Sequence, residues 1–165
     1  MADIITDGKT KVSFVEEIAD ISAPTTTELT GGVSLEAYMT PDGLVGFEPE
    51  TADVDASSLN STFDTKRAGR ASFSGTLLRL KKQSGTDTPY ETLQREVEGY
   101  VVVRRGLDAN VAWANGQDVE VYPVQCGQTR MLPPEPNTMQ RYEVPVKIHT
   151  EPELRAVVGG ASSSS

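Results

Sequence analysis

Few residues of this 165-residue sequence could do chemistry, and their spacing limits what they could do. Nucleophilic catalysis needs a base beside the nucleophile, and His149 is the single histidine. It lies on the polar side of an alternating run, where it reads as an ordinary exposed side chain. Neither Ser34 nor Ser74 sits in a Gly-x-Ser-x-Gly elbow. One histidine and one cysteine cannot assemble a His/Cys metal site. The lone Cys126, without a disulfide partner in the chain, reads as a small buried thiol. Asp53-x-Asp55-x-Ser57 opens like a calcium loop with Asp64 at the twelfth place. Its sixth place, however, holds Ser58 where the turn needs glycine, and aspartate is short for the bidentate last ligand, so the segment reads as an acidic, solvated loop. Nothing near the carboxylate pairs Glu16–Glu17 and Glu48–Glu50 would bury them or tune them for acid–base work. Trp113 could offer a flat platform to a sugar, although an isolated tryptophan usually serves packing. The sequence therefore predicts no catalytic residue, no metal ligand and no cofactor.

The charge balance narrows the partners. A formal charge of −9 repels nucleic-acid phosphates, because binding by counterion release needs clustered cations. The basic stretches Lys66–Arg67, Lys81–Lys82 and Arg104–Arg105 are only pairs and read as solvated charges. No apolar run approaches the ~20 residues of a membrane span, and the first residues carry no cationic-then-apolar leader pattern. A protein made in a reducing cytoplasm, without a membrane anchor, is the expectation. With 37% hydrophobic and only 6% aromatic residues, a thin sandwich with arms ordered by neighbours suits the chain better than a thick core.

The elements that would hold such a body are mostly strands. Lys11–Val15 alternates as a short strand, and Glu16–Thr27 reads as an extended connection. Val33–Met39 reads as a strand closed by the turn Pro41-Asp42-Gly43. Residues 40–68 are the least regular and predict a long loop with a short strand near Ala52–Ser57; a loop of that length in a compact domain is usually functional. Arg70–Leu80 reads as one strand, with Ser72, Ser74 and Thr76 on its polar face. A single helix is expected over about 88–98, capped by Thr88, with Pro89 at its first position and Tyr90, Leu93 and Val97 along one stripe. Tyr100–Arg105, Asp118–Gln125, Gln128–Leu132, Gln140–Thr150 and Leu154–Val158 follow as strands; Pro145 confines the fourth to an edge or a bulge. The fold class is mainly β, an antiparallel sandwich or partial barrel of seven or eight strands. An arm over 1–10, a body over 11–158 and a disordered tail over 159–165 are the expected divisions.

The order of several segments resembles the major tail tube protein of long-tailed, siphovirus-type bacteriophages, especially those infecting actinobacteria. The carrying segments are Ile21-Ser22-Ala23-Pro24-Thr25 through Glu28-Leu29, Gly31-Gly32-Val33, and Ser58-Leu59-Asn60-Ser61-Thr62-Phe63-Asp64 with Gly69. Tyr100-Val101-Val102-Val103-Arg104-Arg105-Gly106, Asp118-Val119-Glu120-Val121-Tyr122-Pro123-Val124 and Glu151-Pro152 complete the pattern across residues 11–158. The resemblance implies a structural subunit that polymerises as stacked hexameric rings into a hollow conduit for DNA ejection. The inner sheets of six copies would join into one barrel, with the long loop and terminal arms bridging copies and rings. Its partners would be further copies, the tape-measure protein and the tail terminator, with genomic DNA passing unbound through the lumen. It would be assembled in the host cytoplasm and belong to the virion tail. On this reading Ser72, Ser74 and Thr76 are candidates for the lumen wall. Glu48, Glu50, Asp53, Asp55, Phe63, Asp64, Lys66 and Arg67 are candidates for contacts between copies. The rival readings are a head–tail completion or capsid decoration protein, and a carbohydrate-binding sandwich using Trp113 with Tyr100 or Tyr122.

Overall fold

A computed structural model describes residue 5 and residues 7–159. Much of the expected N-terminal arm and nearly all of the expected tail lie outside these described residues. The described chain forms eleven strands and two short helices. In order they are β1 (Thr10–Val15), α1 (Thr26–Thr30), β2 (Val33–Ser34), β3 (Met39–Val45), β4 (Glu50–Asp55), β5 (Lys66–Ser72) and β6 (Leu77–Lys81). α2 (Thr88–Thr92), β7 (Glu98–Arg105), β8 (Asp118–Cys126), β9 (Arg130–Met131), β10 (Arg141–Ile148) and β11 (Glu153–Val157) follow. Nine strands form one antiparallel sheet in the order β2-β1-β7-β8-β10-β6-β3, with β11 also on β8 and β9 also on β10. The sheet curls into a half-barrel. β4 and β5 pair only with each other.

The run Val101-Val102-Val103 explains the layering. Val101 and Val103 face one core with Phe14, Leu78, Leu80, Tyr142 and Val144. Val102 faces a second, smaller core with Val15, Leu29, Val119, Val121 and Ala156. A strand dry on both faces reads as a continuous β-branched run rather than an alternating one. β8 divides in the same way, with Val119 and Val121 on one side and Tyr122, Val124 and Cys126 on the other. Gly99 is needed where β7 passes β1, since a Cβ there would lie 2.5 Å from the Phe14 ring.

Several sequence expectations change in the structure, each for a local reason. The 16–27 connection ends in α1, whose capping box is complete: Thr25 Oγ1 accepts from the Glu28 N–H, and Glu28 Oε1 accepts from the Thr25 N–H. The strand expected over Val33–Met39 stops at Ser34, because Leu35 turns inward to full burial and the chain bends through Tyr38 and Met39 onto its carbonyl. Pro41-Asp42-Gly43 does not close a strand. It bulges out of β3, where Met39 opposes Leu80 and Leu44 already opposes Leu78. Arg79 fastens that bulge by donating to Asp42 Oδ2 at 2.6 Å and to Glu143 Oε2 at 2.7 Å. The expected helix over 88–98 ends at Thr92, and its cap is Asp87 rather than Thr88. Leu93 still enters the core, but Glu96 takes a left-handed backbone, φ 72°, that no helix allows.

Pro145 sits inside the sheet rather than at its edge. β10 pairs with β6 through residues 141–145 and with β8 from Val146 onward, while β9 covers only Tyr142 and Glu143. The Pro145 carbonyl accepts from the Gly127 N–H, on the β8 side. In a strand the missing N–H points the same way as that carbonyl, into the gap between the β9 and β8 pairings, so no ladder bond is lost.

Arg104 is the clearest departure. It was expected to be solvated and is instead fully buried, on the same side of β7 as Val102. Nη2 donates to the carbonyls of Asp108 and Val111 at 2.9 and 2.8 Å, and Nη1 to Gln117 Oε1 at 3.0 Å and the Ala112 carbonyl at 3.3 Å. Its guanidinium also lies over the Trp113 ring, 5.1 Å from the centroid. One cation thus gathers three carbonyls and one side-chain amide oxygen of the β7–β8 connection.

Burial also sets the alkaline limit of the fold. Desolvation raises the Cys126 thiol from 9.0 to about 11, and raises the buried Tyr122 and Tyr142 hydroxyls above the ordinary tyrosine value. Above pH 9 the unfolded chain releases protons that the folded chain keeps, so stability falls as the pH rises. Urea midpoints measured from pH 8 to pH 11 are expected to fall monotonically, and Cys126 is expected to react with a thiol reagent only as the chain unfolds.

Candidate assembly arm

Between Phe47 and Phe73 the chain leaves the body as the β4–β5 hairpin. Of the loop expected over 40–68, residues 40–47 stay in the body, as most of β3 and the buried Phe47; the part that departs continues through β5 to Ser72, and much of it is strand rather than loop. The register pairs Asp55 with Lys66, Val54 with Arg67, Asp53 with Ala68, Thr51 with Ala71 and Glu50 with Ser72. Between Ala68 and Ala71 the second strand carries one residue more than the first, a bulge that adds local twist. Every residue of β4 is exposed, and so is every residue of β5 except the half-buried Gly69. At the tip Leu59 and Phe63 stand in solvent, Phe63 at 72% exposure, and Val54 is half exposed.

The root of the hairpin is built in the opposite way. Phe47 is buried just before β4, and its ring meets Tyr122 edge-on, with centroids 4.9 Å apart. Phe73, just after β5, meets the same Tyr122 ring edge-on at 5.9 Å. The Tyr122 hydroxyl reaches the Phe47 carbonyl, and Thr76 Oγ1 donates to the Gly46 carbonyl at 2.9 Å. Gly46 has φ 76°, and a Cβ there would lie 2.7 Å from Gly75, so the two ends of the stalk cross in near contact. One tyrosine of the central strand β8 therefore clamps both ends of an arm that buries almost nothing of its own.

The candidate residues fall on this arm unevenly. Glu48, Glu50, Asp53, Asp55, Phe63, Asp64, Lys66 and Arg67 are all exposed on the hairpin or its immediate approach. The strand expected over Arg70–Leu80 is two strands, β5 and β6, separated by residues 73–76 where Gly75 takes φ 64°. Ser72 and Ser74 are exposed, whereas Thr76 is buried with its hydroxyl engaged, so the three do not share one open face. The sequence reading missed the aromatic clamp. Its signal was a pair of aromatics, Phe47 inside the irregular stretch and Phe73 just beyond it, flanking an acidic, Ser-rich segment.

Catalytic candidates are not brought together. Exposed His149 contacts Thr150 Oγ1 and lies 3.8 Å from Glu98 Oε1. Cys126 is buried. Among the described residues no three His, Cys, Asp or Glu side chains are placed to hold a metal ion. A surface groove of about 870 Å³ is lined by Lys9, Val12, Glu36, Met39, Leu44 and Arg105 and holds neither a serine nor a cysteine. Trp113 is half-buried beside Arg104, with Lys11 5.5 Å from its centroid, so packing accounts for it.

The family model described as phage tail tube protein matches residues 1–161. The chain belongs to the phage tail tube protein family. It is a tail structural protein, and its place is the virion tail. A similar solved chain comes from the cryo-EM structure of the anti-feeding prophage baseplate, described as 6-fold symmetrised. The two share 7% identity with a TM-score of 0.61, over 94% of this chain and 98% of that one, which is a likeness of fold. No curated protein matches the chain. Among the described residues of this tail tube protein no helix is long and apolar enough to cross a membrane.

Because the hairpin of this tail tube protein adds almost nothing to either core, its removal should leave the body intact. Replacing residues 49–71 with a short Gly-Ser turn, keeping Phe47 and Phe73, is expected to move the melting temperature by no more than about 2–4 °C. Differential scanning calorimetry of the monomer checks this.

Proposed function

We propose that the chain polymerises as stacked hexameric rings into the hollow tail tube through which the phage genome leaves the virion. The observation that carries this reading is the hairpin: a rigidly rooted arm with two open edges and an apolar tip, idle in a single subunit. A two-stranded hairpin is marginal alone in water, and open strand edges invite pairing with another chain. The six-fold symmetry of the similar baseplate structure supports six copies per ring. The tape-measure protein inside and a terminator at one end are the partners this architecture calls for.

The acidity fits the conduit. DNA carries one charge per ~1.7 Å of axis, so a basic wall repeated at every ring would hold it, whereas subunits of net charge −9 let it pass. On this reading the lumen-wall candidates are Ser72, the last residue of β5, and Ser74 just after it, both exposed; Thr76 is left out because its side chain is buried. Membership of a structural tail family supports a non-enzymatic role.

Electron microscopy of the purified protein at high concentration is expected to show tubes; a monodisperse monomer at every concentration would sink the proposal. In such tubes a cysteine placed by Ser74→Cys is expected to resist a bulky thiol reagent that labels the same variant as a monomer. Equal labelling in both states would put Ser74 on the outside.

A further inference from the structure

The charges of the hairpin are sorted by strand. β4 and its approach carry Glu48, Glu50, Asp53 and Asp55 and no cation. β5 carries Lys66, Arg67 and Arg70 and no acid. None of these seven takes part in an ion pair within the subunit among the described residues. One edge of the arm is therefore an acidic strand with open backbone groups, and the other edge is a basic one. We propose that the acidic β4 edge of one copy pairs with the basic β5 edge of the next, and that this charge sorting selects the head-to-tail joint between copies. The inference rests on the reading that the chain polymerises.

The geometry is consistent with closure. β4 and β5 run antiparallel within the hairpin. Rotation about a ring axis brings the neighbour's β5 beside β4 in the opposite direction, so each new joint is also antiparallel. A contact between two different edges is heterologous and closes into a ring when the rotation fits. The backbone ladder supplies affinity without selectivity. The charges supply selectivity: β4 against β4 sets acids opposite acids and β5 against β5 sets cations opposite cations, both destabilising, so only β4 against β5 is favoured. A self-complementary pair of arms, which would stop growth at a dimer, is thereby disfavoured.

Two triple variants test this. The first carries Glu50→Lys, Asp53→Lys and Asp55→Lys; the second carries Lys66→Glu, Arg67→Glu and Arg70→Glu. All six positions are exposed, and unchanged melting of the monomers establishes that the body folds. Each variant alone is expected to need at least about tenfold more protein than wild type to assemble, read by sedimentation and electron microscopy. An equimolar mixture is expected to recover assembly, because the two can alternate around an even-membered ring. The six-fold charge swap combining both sets is expected to assemble alone, but not to enter wild-type tubes. Normal assembly of either triple variant by itself would overturn the edge pairing while leaving the tube intact. A mixture that stays monomeric would overturn it too. Wild-type protein that never assembles would overturn this inference together with the tube.

Discussion

A strand buried on both faces must be covered twice, and β7 imposes that demand on the whole subunit. Val101, Val102 and Val103 each give up their water, worth about 1.5–3 kcal/mol per side chain, only if a layer lies on either side. The inner layer comes from the curl of the sheet itself, which brings Leu78, Leu80, Tyr142 and Val144 over Val101 and Val103. The outer layer is assembled from short pieces: Leu29 of α1, Ile18 and the β11 residue Ala156. This explains why so short a helix as α1 persists. A helix of five residues cannot hold itself in water, but Leu29 is fully buried and the capping box satisfies its first turn.

The same central pair positions the arm. Tyr122 lies on β8 directly across from Val101, and its ring receives both Phe47 and Phe73. The hairpin therefore inherits the rigidity of the best-buried strands although it contributes almost nothing to burial. Arg104 does equivalent work at the other end of β7. A guanidinium with no carboxylate in hydrogen-bonding contact is costly to bury, and desolvation lowers its pKa accordingly. Four acceptors and the Trp113 ring offset that cost, and in return the 106–117 connection is held to the sheet.

What the sequence made legible follows from how local each determinant is. The strands β1, β7, β8 and β10 were readable because their periodicity or β-branched content is a property of neighbouring residues. Arg104 was readable in principle, since it shares parity with Val102, but its acceptors come from a connection whose course is set by tertiary packing. Pro145 gave a sound rule and a wrong place: the rule forbids a lost ladder bond, and only the change of partner along β10 shows that none is lost. Pro41-Asp42-Gly43 likewise signals a bend, which a bulge satisfies as well as a turn does. In the arm, the candidate residues chosen from an irregular, polar composition are exposed. The strand pairing of β4 with β5 had no apolar alternation to announce it, because neither face of the hairpin is buried.

That last point bears on why such an arm exists. Alternating apolar faces fix strand register inside a subunit, and a hairpin without them has weakly specified register and edges. Two devices here restore specification. The aromatic clamp fixes where each strand begins, so Glu50 meets Ser72 at the base. Charge then distinguishes one edge from the other without adding an apolar surface that would aggregate before assembly. Hydrophobicity on the arm is confined to Leu59 and Phe63 at the tip and to Val54, too little to drive promiscuous collapse. On the proposed pairing, an acidic chain could thereby carry an edge that recognises its own opposite without displaying an apolar surface.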